Sequence, residues 1–416
     1  MMRYAVVGLG SRSLMYTSAL LGEHCAAGEL VGLCDVNAAR MDWYNRLFAD
    51  RYGAAPVATY RAQDFTRMLR ERAVQALIVT SVDRTHHEYI VGALESGCDV
   101  ITEKPLTIDA ERAQAVVDAV ARSGRRVTVS FNYRYAPRNH RVKELLEQRL
   151  VGDVLSVHFE WLLDTRHGAD YFRRWHREKA NSGGLMVHKA SHHFDLVNWW
   201  LGARPVSVFG FGRLAFYGRD NARVRGVTEF YERAHGSALA RDDPFALDLE
   251  ADPTLKGLYL DAEAEDGYLR DRNVFADGIT IEDDMAVLVR YDTGATMSYH
   301  LHAYAPWEGY RVAFNCTGGR LELDVVERAF AAPSEFGPSS VRLTLRPHWE
   351  PPREVELEDA SADHSEADRR LVADLFGPRA QLPTHVDGVW AILPGIGANQ
   401  SFATGHPVDL TTLVRL

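Results

Sequence analysis

The 416-residue sequence predicts a two-domain α/β protein. A doubly wound parallel-sheet domain covers residues 1–132, and an α+β domain with a large, mostly antiparallel open sheet covers 133–416. Three observations carry this. Short apolar runs alternate with helical patterns through the first third, a glycine turn closes the first apolar run, and strands of period two take over after Asn132. A chain this long also exceeds what one hydrophobic core usually supports.

In the first domain, Arg3 to Val7, Glu29 to Cys34, Ala76 to Thr80, Asp99 to Thr102 and Val127 to Phe131 read as strands buried on both faces. Helical periodicity covers Ser11 to Leu21, Ala38 to Tyr52, His86 to Ser96 and Ala110 to Ser123, with Gly53, Gly97 and Gly124 as C-terminal stops. In the second domain, Val154 to Leu163, Met285 to Tyr291, Ala295 to Tyr304 and Tyr310 to Cys316 alternate as strands, and Asp292-Thr293-Gly294 supplies a hairpin turn. One helix runs from about Gly184 to Leu201 and stops at Gly202. A last helical stretch, Asp387 to Ser401, is weakened by Pro394.

A formal charge of −10 argues against a nucleic-acid partner, which would call for a basic patch. Residues 241–285 hold fourteen Asp/Glu against four Lys/Arg, and this run reads as a solvated acidic insertion. The four cysteines, Cys25, Cys34, Cys98 and Cys316, are widely spaced, suggesting neither a disulfide framework nor a cysteine metal site. No apolar run reaches membrane-spanning length, and no leader precedes the first strand at Arg3, so a cytoplasmic protein without a membrane partner is expected. An open antiparallel sheet leaves a face to cover, which suggests a homodimer or homotetramer.

Gly8-Leu9-Gly10-Ser11-Arg12-Ser13 follows a strand and opens a helix, as a dinucleotide turn does, although Ser13 replaces the third glycine. Asp35 ends the second strand, where a carboxylate accepts from ribose hydroxyls and repels a 2'-phosphate. NAD is therefore expected over NADP, with Arg12 and Arg40 the guanidiniums that could pair with a phosphate instead. Ser81, Asp83 and His86 fall at the same carboxyl edge, His86 also suiting a helix-start packing role. Glu103-Lys104-Pro105 ends the next strand there. Read alone it is either a surface ion pair before a turn or a cofactor-side proton carrier.

His188-Lys189-Ala190-Ser191-His192-His193-Phe194-Asp195 concentrates polar chemistry on the interrupting helix. At helical spacing His188, His192 and Asp195 form one stripe, which must face solvent or a polar cleft. His192 reads as a proton donor or acceptor, as a satisfied core histidine, or with His188 as part of a metal pair; no metal is assigned, because a third ligand is missing. Tyr171 to His176, with Trp175, and Trp307 to Arg311 offer walls and hydrogen bonds for a sugar-sized ligand, or else packing surfaces. His300, His302 and Tyr304 share one strand face and are candidates to join them.

The glycine turn, Ser81 to His86, Glu103-Lys104-Pro105, and Gly183-Gly184 followed by His192 and Asp195 together resemble the Gfo/Idh/MocA oxidoreductase family, over nearly the whole chain. The resemblance implies a Rossmann domain with NAD(P), and sugar or polyol substrates whose reacting carbinol lies between Lys104 and His192. It makes Lys104 and His192 catalytic candidates, and His188 joins them as a hydrogen-bonding or proton-relay candidate at a position where the family differs. Gly8, Gly10, Ser11, Arg12, Asp35, Ser81, Asp83, His86, Glu103 and Lys104 would hold the cofactor. Lys104, Trp175, His188, Lys189, His192 and Arg311 would hold the substrate. One departure stands out: the family's helix usually carries an aspartate four residues before the histidine, and here that position is His188. Net dehydrogenation is the expected activity. The alternatives are a redox-neutral glycosidase or lyase working by transient oxidation, and a regulator that senses nucleotide without catalysis.

Overall fold

In the computed structural model, which describes residues 1–332, 335–357, 364–377 and 382–416, the N-terminal apolar runs form one parallel sheet. Its strands are β1 (Met2–Val7), β2 (Gly28–Asp35), β3 (Thr59–Arg61), β4 (Ala76–Val79), β5 (Asp99–Thr102) and β6 (Val127–Val129), in spatial order β3-β2-β1-β4-β5-β6. Helices α1 (Ser13–Leu21), α2 (Ala38–Tyr52), α3 (Phe65–Glu71), α4 (His86–Glu95) and α5 (Ala110–Ser123) cover it. Ala5, Val6, Leu77, Ile78 and Val79 have no more than trace exposure, as strands covered on both faces require. Strand order reverses between β1 and β4, opening a crevice at their carboxyl ends where such sheets bind ligands. β3 and α3 are too short to register as sequence periodicity.

The second sheet has strands β7 (Val154–Asp164), β8 (Pro205–Arg213), β9 (Asp284–Tyr291), β10 (Thr296–Ala305), β11 (Trp307–Cys316), β12 (Gly319–Ala332), β13 (Glu335–Gly337), β14 (Ser340–Pro347), β15 (Arg353–Val355) and β16 (Val408–Asp409). Its order is β15-β14-β12-β11-β7-β10-β9-β8-β16, with β13 on β12; all pairs are antiparallel except β7 with β10. Phe159, Trp161, Tyr299, Tyr310 and Phe314 point inward and are buried. Their outward neighbours leave Leu155, Phe211 and Leu288 exposed on the opposite face. His300, His302 and Tyr304 lie on that outward face as well, away from the cleft they were expected to join, because β10 turns Tyr299, Leu301 and Ala303 inward.

α6 (Pro137–Glu147), α7 (His167–Arg173) and α8 (Lys179–Ser182) flank the junction of the two sheets, and then the expected single helix divides. It forms α9 (Leu185–His188) and α10 (Ala190–Leu201), with Lys189 between them and Gly202 (φ 60°) closing α10. After α14 (His364–Phe376), α15 (His385–Thr404) runs unbroken through Pro394. Proline removes the N–H that the Trp390 carbonyl would receive. The Asn198 side chain on α10 supplies the missing donor, 3.1 Å from Trp390 O. α15 also packs tightly on α9: a Cβ at Gly395 would lie 2.2 Å from Met186 O.

The acidic run is a solvated insertion only in part: Asp242, Asp248, Glu250, Asp252 and Asp261 are exposed, while other members fold into the protein. Between β8 and β9 the chain forms α11 (Arg219–Val224), α12 (Pro253–Leu255) and α13 (Glu263–Asp266), and folds back over the edge of the first sheet. Leu258, Ala262, Asp271 and Asp283 are almost fully buried. Several of its carboxylates are matched: Asp266 with Arg40 at 2.8 Å, Glu265 with Arg61 at 2.8 Å, and Asp283 with three successive backbone N–H groups of Ala215, Phe216 and Tyr217. The negative charge serves long-range pairing that composition does not reveal.

Candidate active site

A cleft of about 610 Å³ runs from the glycine turn to the α9–α10 junction. At one end Gly8 (φ 87°) brings β1 so close to the β4 turn that a Cβ would meet Ser81 Cα at 2.4 Å. Gly10 follows it, and the Ser11 N–H donates to Tyr259 Oη at 3.0 Å. Asp35 is buried at the end of β2, its two oxygens accepting from Leu9 N (2.5 Å) and Asn37 N (2.8 Å). Burial pushes that carboxyl up, against the opposing pull of Arg40 and the two amides.

Both candidate phosphate ligands are ion-paired, although Arg40 Nη2 has no hydrogen-bond partner among the described residues. Arg12 donates through Nε to Glu103 Oε1 at 2.6 Å and through its terminal nitrogens to Asp368 at 2.7 and 3.1 Å. Arg40 is buried between Asp266 and Asp35 and donates to Leu258 O. Glu103 also accepts from Tyr16 Oη at 2.7 Å, so the Glu103 carboxylate belongs to Arg12 and Tyr16 rather than to its neighbour Lys104. His86 places its ring nitrogens 2.8 Å from Pro105 O and 3.0 Å from Ser81 O, bracing two turns and leaving no nitrogen for a ligand. Ser81 Oγ accepts from Thr85 Oγ1 at 2.8 Å.

Lys104 opens onto the middle of the cleft. Its Nζ donates to His188 O at 3.1 Å and lies 3.4 Å from His188 Nε2. The other imidazole nitrogen, Nδ1, is 2.5 Å from Asp83 Oδ2. Burial lowers Lys104 to about 8, although Asp83 and Glu103 pull the other way; burial likewise raises Asp83 well above the carboxylate range. Burial, then the nearby Lys104, holds His188 well below its ordinary value. The carboxylate missing from the helix is thus supplied by Asp83 from the far side of the cleft. Asp83 therefore holds His188 Nδ1 while lining the same cleft as the glycine turn and Ser81, and His188 Nε2 faces Lys104 Nζ.

His192 is 6% exposed and lies flat on Tyr133, centroids 4.3 Å apart at 13°. Its Nδ1 has no hydrogen-bond partner among the described residues, nor does His176 Nδ1, and both residues line the cleft. Both nitrogens are themselves buried, so it is the remaining edge of each ring that borders the cleft. Trp175 stacks on His176 at 3.6 Å. Lys189, expected to face a ligand, is 3% exposed and donates to Tyr133 Oη at 2.8 Å beneath the Trp161 ring. His193 packs in the core against Trp161 and bonds Tyr299 Oη, and Asp195 pairs with Arg134. Arg311 is outside the cleft altogether: on β11 it faces outward, half-exposed, with Asp324 and the Trp307 ring, because Tyr310 and Val312 take the inward phase.

Sequence reasoning missed a second hydrogen-bonded chain on the cleft wall. Glu308 Oε1 on β11 is 2.6 Å from His167 Nδ1, and His167 Nε2 is 3.1 Å from Tyr171 Oη. Burial pushes the Glu308 carboxyl up, but His167 and Lys189 outweigh it and hold the group below its ordinary value. The i,i+4 spacing of His167 and Tyr171 on α7 was a legible signal, and Glu308 fell within the candidate stretch Trp307 to Arg311; their pairing across 141 positions was not legible. Tyr259 left no signal within its acidic run.

Residues 2–131 match the model of an oxidoreductase family with an NAD-binding Rossmann fold, and residues 143–410 match that family's C-terminal alpha/beta domain. The chain belongs to the Gfo/Idh/MocA oxidoreductase family. Among its relatives in the family, YteT of Bacillus subtilis (strain 168), named as an oxidoreductase, is 34% identical over 434 residues, covering 98% of each chain. The inositol 2-dehydrogenase of Gluconacetobacter diazotrophicus is 35% identical over 184 residues, 44% of this chain and 50% of that one. Aldose-aldose oxidoreductase from Caulobacter crescentus, solved with glycerol, shares the fold with a TM-score of 0.64 at 16% identity, over 98% of this chain and 99% of that one. Myo-inositol 2-dehydrogenase from Lactobacillus plantarum does so with the same TM-score, identity and coverage. Among the described residues no helix is long and apolar enough to cross a membrane.

The residues present fit the dinucleotide this Gfo/Idh/MocA fold binds. Gly8 allows a backbone approach that any side chain would block, and Asp35 lines the cleft at the end of β2. The Ser11 N–H, at the start of the turn into α1, is held by the Tyr259 hydroxyl, a group that a phosphate oxygen can replace or bond.

Proposed function

We propose that this protein is an NAD-dependent oxidoreductase acting on a CH–OH group of a sugar, polyol or glycoside. The observation that carries the reading is the chain from Lys104 through His188 to Asp83, set in a cleft that also contains the glycine turn and Asp35. In this reading residues 1–132 hold the cofactor and 133–416 supply most of the substrate wall. When bound, the nicotinamide supplies the hydride acceptor. Lys104 Nζ, kept partly neutral by burial, takes the hydroxyl proton. His188 offers that proton a path to Asp83, whose carboxyl burial has made more basic, so a proton moves inward with little change in net charge. His192 lines the cleft and offers its imidazole to a substrate hydroxyl, and Trp175 gives a flat wall for the apolar face of a ring.

NAD is favoured over NADP because the Asp35 carboxylate opposes a 2'-phosphate while Arg12 and Arg40 are each committed to two carboxylates. A second reading, redox-neutral elimination from a glycoside, is supported by the Glu308–His167–Tyr171 chain, since breaking the glycosidic bond needs a proton donor besides Lys104. Incubation with free sugars, polyols and aryl glycosides, following NADH absorbance and released aglycone together, tests both. NADH formation supports net oxidation, aglycone without NADH supports elimination, and neither product from any of them would sink the catalytic reading.

A further inference from the structure

We propose that the outward face of the ten-stranded sheet holds a site for a zinc-like divalent cation, built by Glu160, His300 and His302. β10 runs parallel to β7 with His300 opposite Glu160, and the two-residue period of a strand places His302 on the same face. One ligand atom from each of the three lies within 4.8 Å of the others. Two imidazoles and a carboxylate are a donor set that zinc accepts, with a fourth position left for water. Magnesium and calcium prefer all-oxygen shells, which this site does not offer. Ligands of a tetrahedral ion stand about 3.4 Å apart, so the side chains need only draw in by small rotations.

A second feature points the same way. Asp284 Oδ1 is 2.9 Å from His300 Nε2, leaving the other ring nitrogen to ligate, and Arg213 holds the same carboxylate from β8. A carboxylate behind a metal-binding imidazole fixes its tautomer and orientation. None of the three ligands lines the cleft. The ion would bridge β7 and β10, the parallel seam of an otherwise antiparallel sheet, where pairing is slightly weaker per residue. Its role is therefore structural and separate from the proton chemistry.

The test uses full-length protein stripped with chelator, titrated with Zn²⁺ by calorimetry, and assayed for retained metal by elemental analysis after gel filtration. About one ion per chain is expected in the wild type, with a rise in melting temperature on adding zinc. Substituting His302→Ala or Glu160→Gln should remove retention and the thermal shift. Asp284→Asn should weaken affinity by roughly 10- to 100-fold. His188→Ala, inside the cleft, should bind zinc like the wild type, and chelated His302→Ala should keep wild-type turnover. Wild-type protein that retains no zinc would overturn the site. So would His302→Ala and Glu160→Gln variants that retain it unchanged, or zinc binding that disappears with His188→Ala.

Discussion

Asp83→Asn isolates the charge behind Lys104. The substitution keeps the shape of the side chain and its acceptor oxygen for His188 Nδ1 but removes the negative charge. The 2.5 Å and 3.4 Å contacts, with the imidazole between them, put Asp83 Oδ2 no more than about 8 Å from Lys104 Nζ. At an effective dielectric of about 20, a charge pair at that distance is worth about 2 kcal/mol. That corresponds to about 1.5 pKa units. If neutral Lys104 is the base, kcat/KM in the wild type rises with pH along a limb near 8, the value to which burial lowers the amine. Removing the carboxylate takes away the largest influence holding the amine up, so the limb should move toward lower pH by about 1.5 units or more. Initial rates of NADH formation across the neutral and alkaline range read the limb directly. A limb that stays put or moves to higher pH would refute the reasoning, since Asp83 would then carry no charge while Lys104 titrates.

Other expectations follow from the same geometry. Lys104→Ala and His192→Ala should each lower turnover by a factor on the order of 100 to 10,000 while leaving binding of the cofactor's reduced form, NADH, followed by its dihydronicotinamide fluorescence, nearly unchanged. Tyr171→Phe should slow aglycone release from poor leaving groups by a factor on the order of 100 and spare good ones; equal loss on both would remove Tyr171 from the proton path. Asn198→Ala leaves the Trp390 carbonyl without a donor and should cost about 1–3 kcal/mol in denaturant unfolding. Adding Pro394→Ala restores a backbone N–H and should recover part of that loss, whereas strict additivity of the two changes would contradict the proposed partnership.

Much of the first sheet was legible because its signals are local. α2 and α5 begin and end where the sequence places them: Asn37 and Asp109 accept from the first turn, and Gly53 and Gly124 take the left-handed conformation at the last. What stayed hidden depends on partners distant in sequence. Asp266 reads as surplus charge until Arg40 is found against it, and the partnership of Asp83 with His188, 105 positions away, has no local signal. Strand alternation separates two faces without saying which is inward, so Arg311, His300 and His302 were assigned to the wrong one. Pro394 was weighed as a break because the compensating amide comes from another helix.

The imidazole of His192 is the end plate of a column that continues through Tyr133, Trp161 and Tyr310, with successive planes tilted by 13°, 20° and 8°. Arg138 sits over the far ring, and Lys189 lies against the middle two. The freedom of that side chain is therefore given up when the sheet folds and not when a ligand arrives, so His192 meets its partner with little reorganisation. The alignment of the cleft is inherited from strands whose other residues never touch it, and a change as remote as Trp161 would be felt as a tilt of the imidazole.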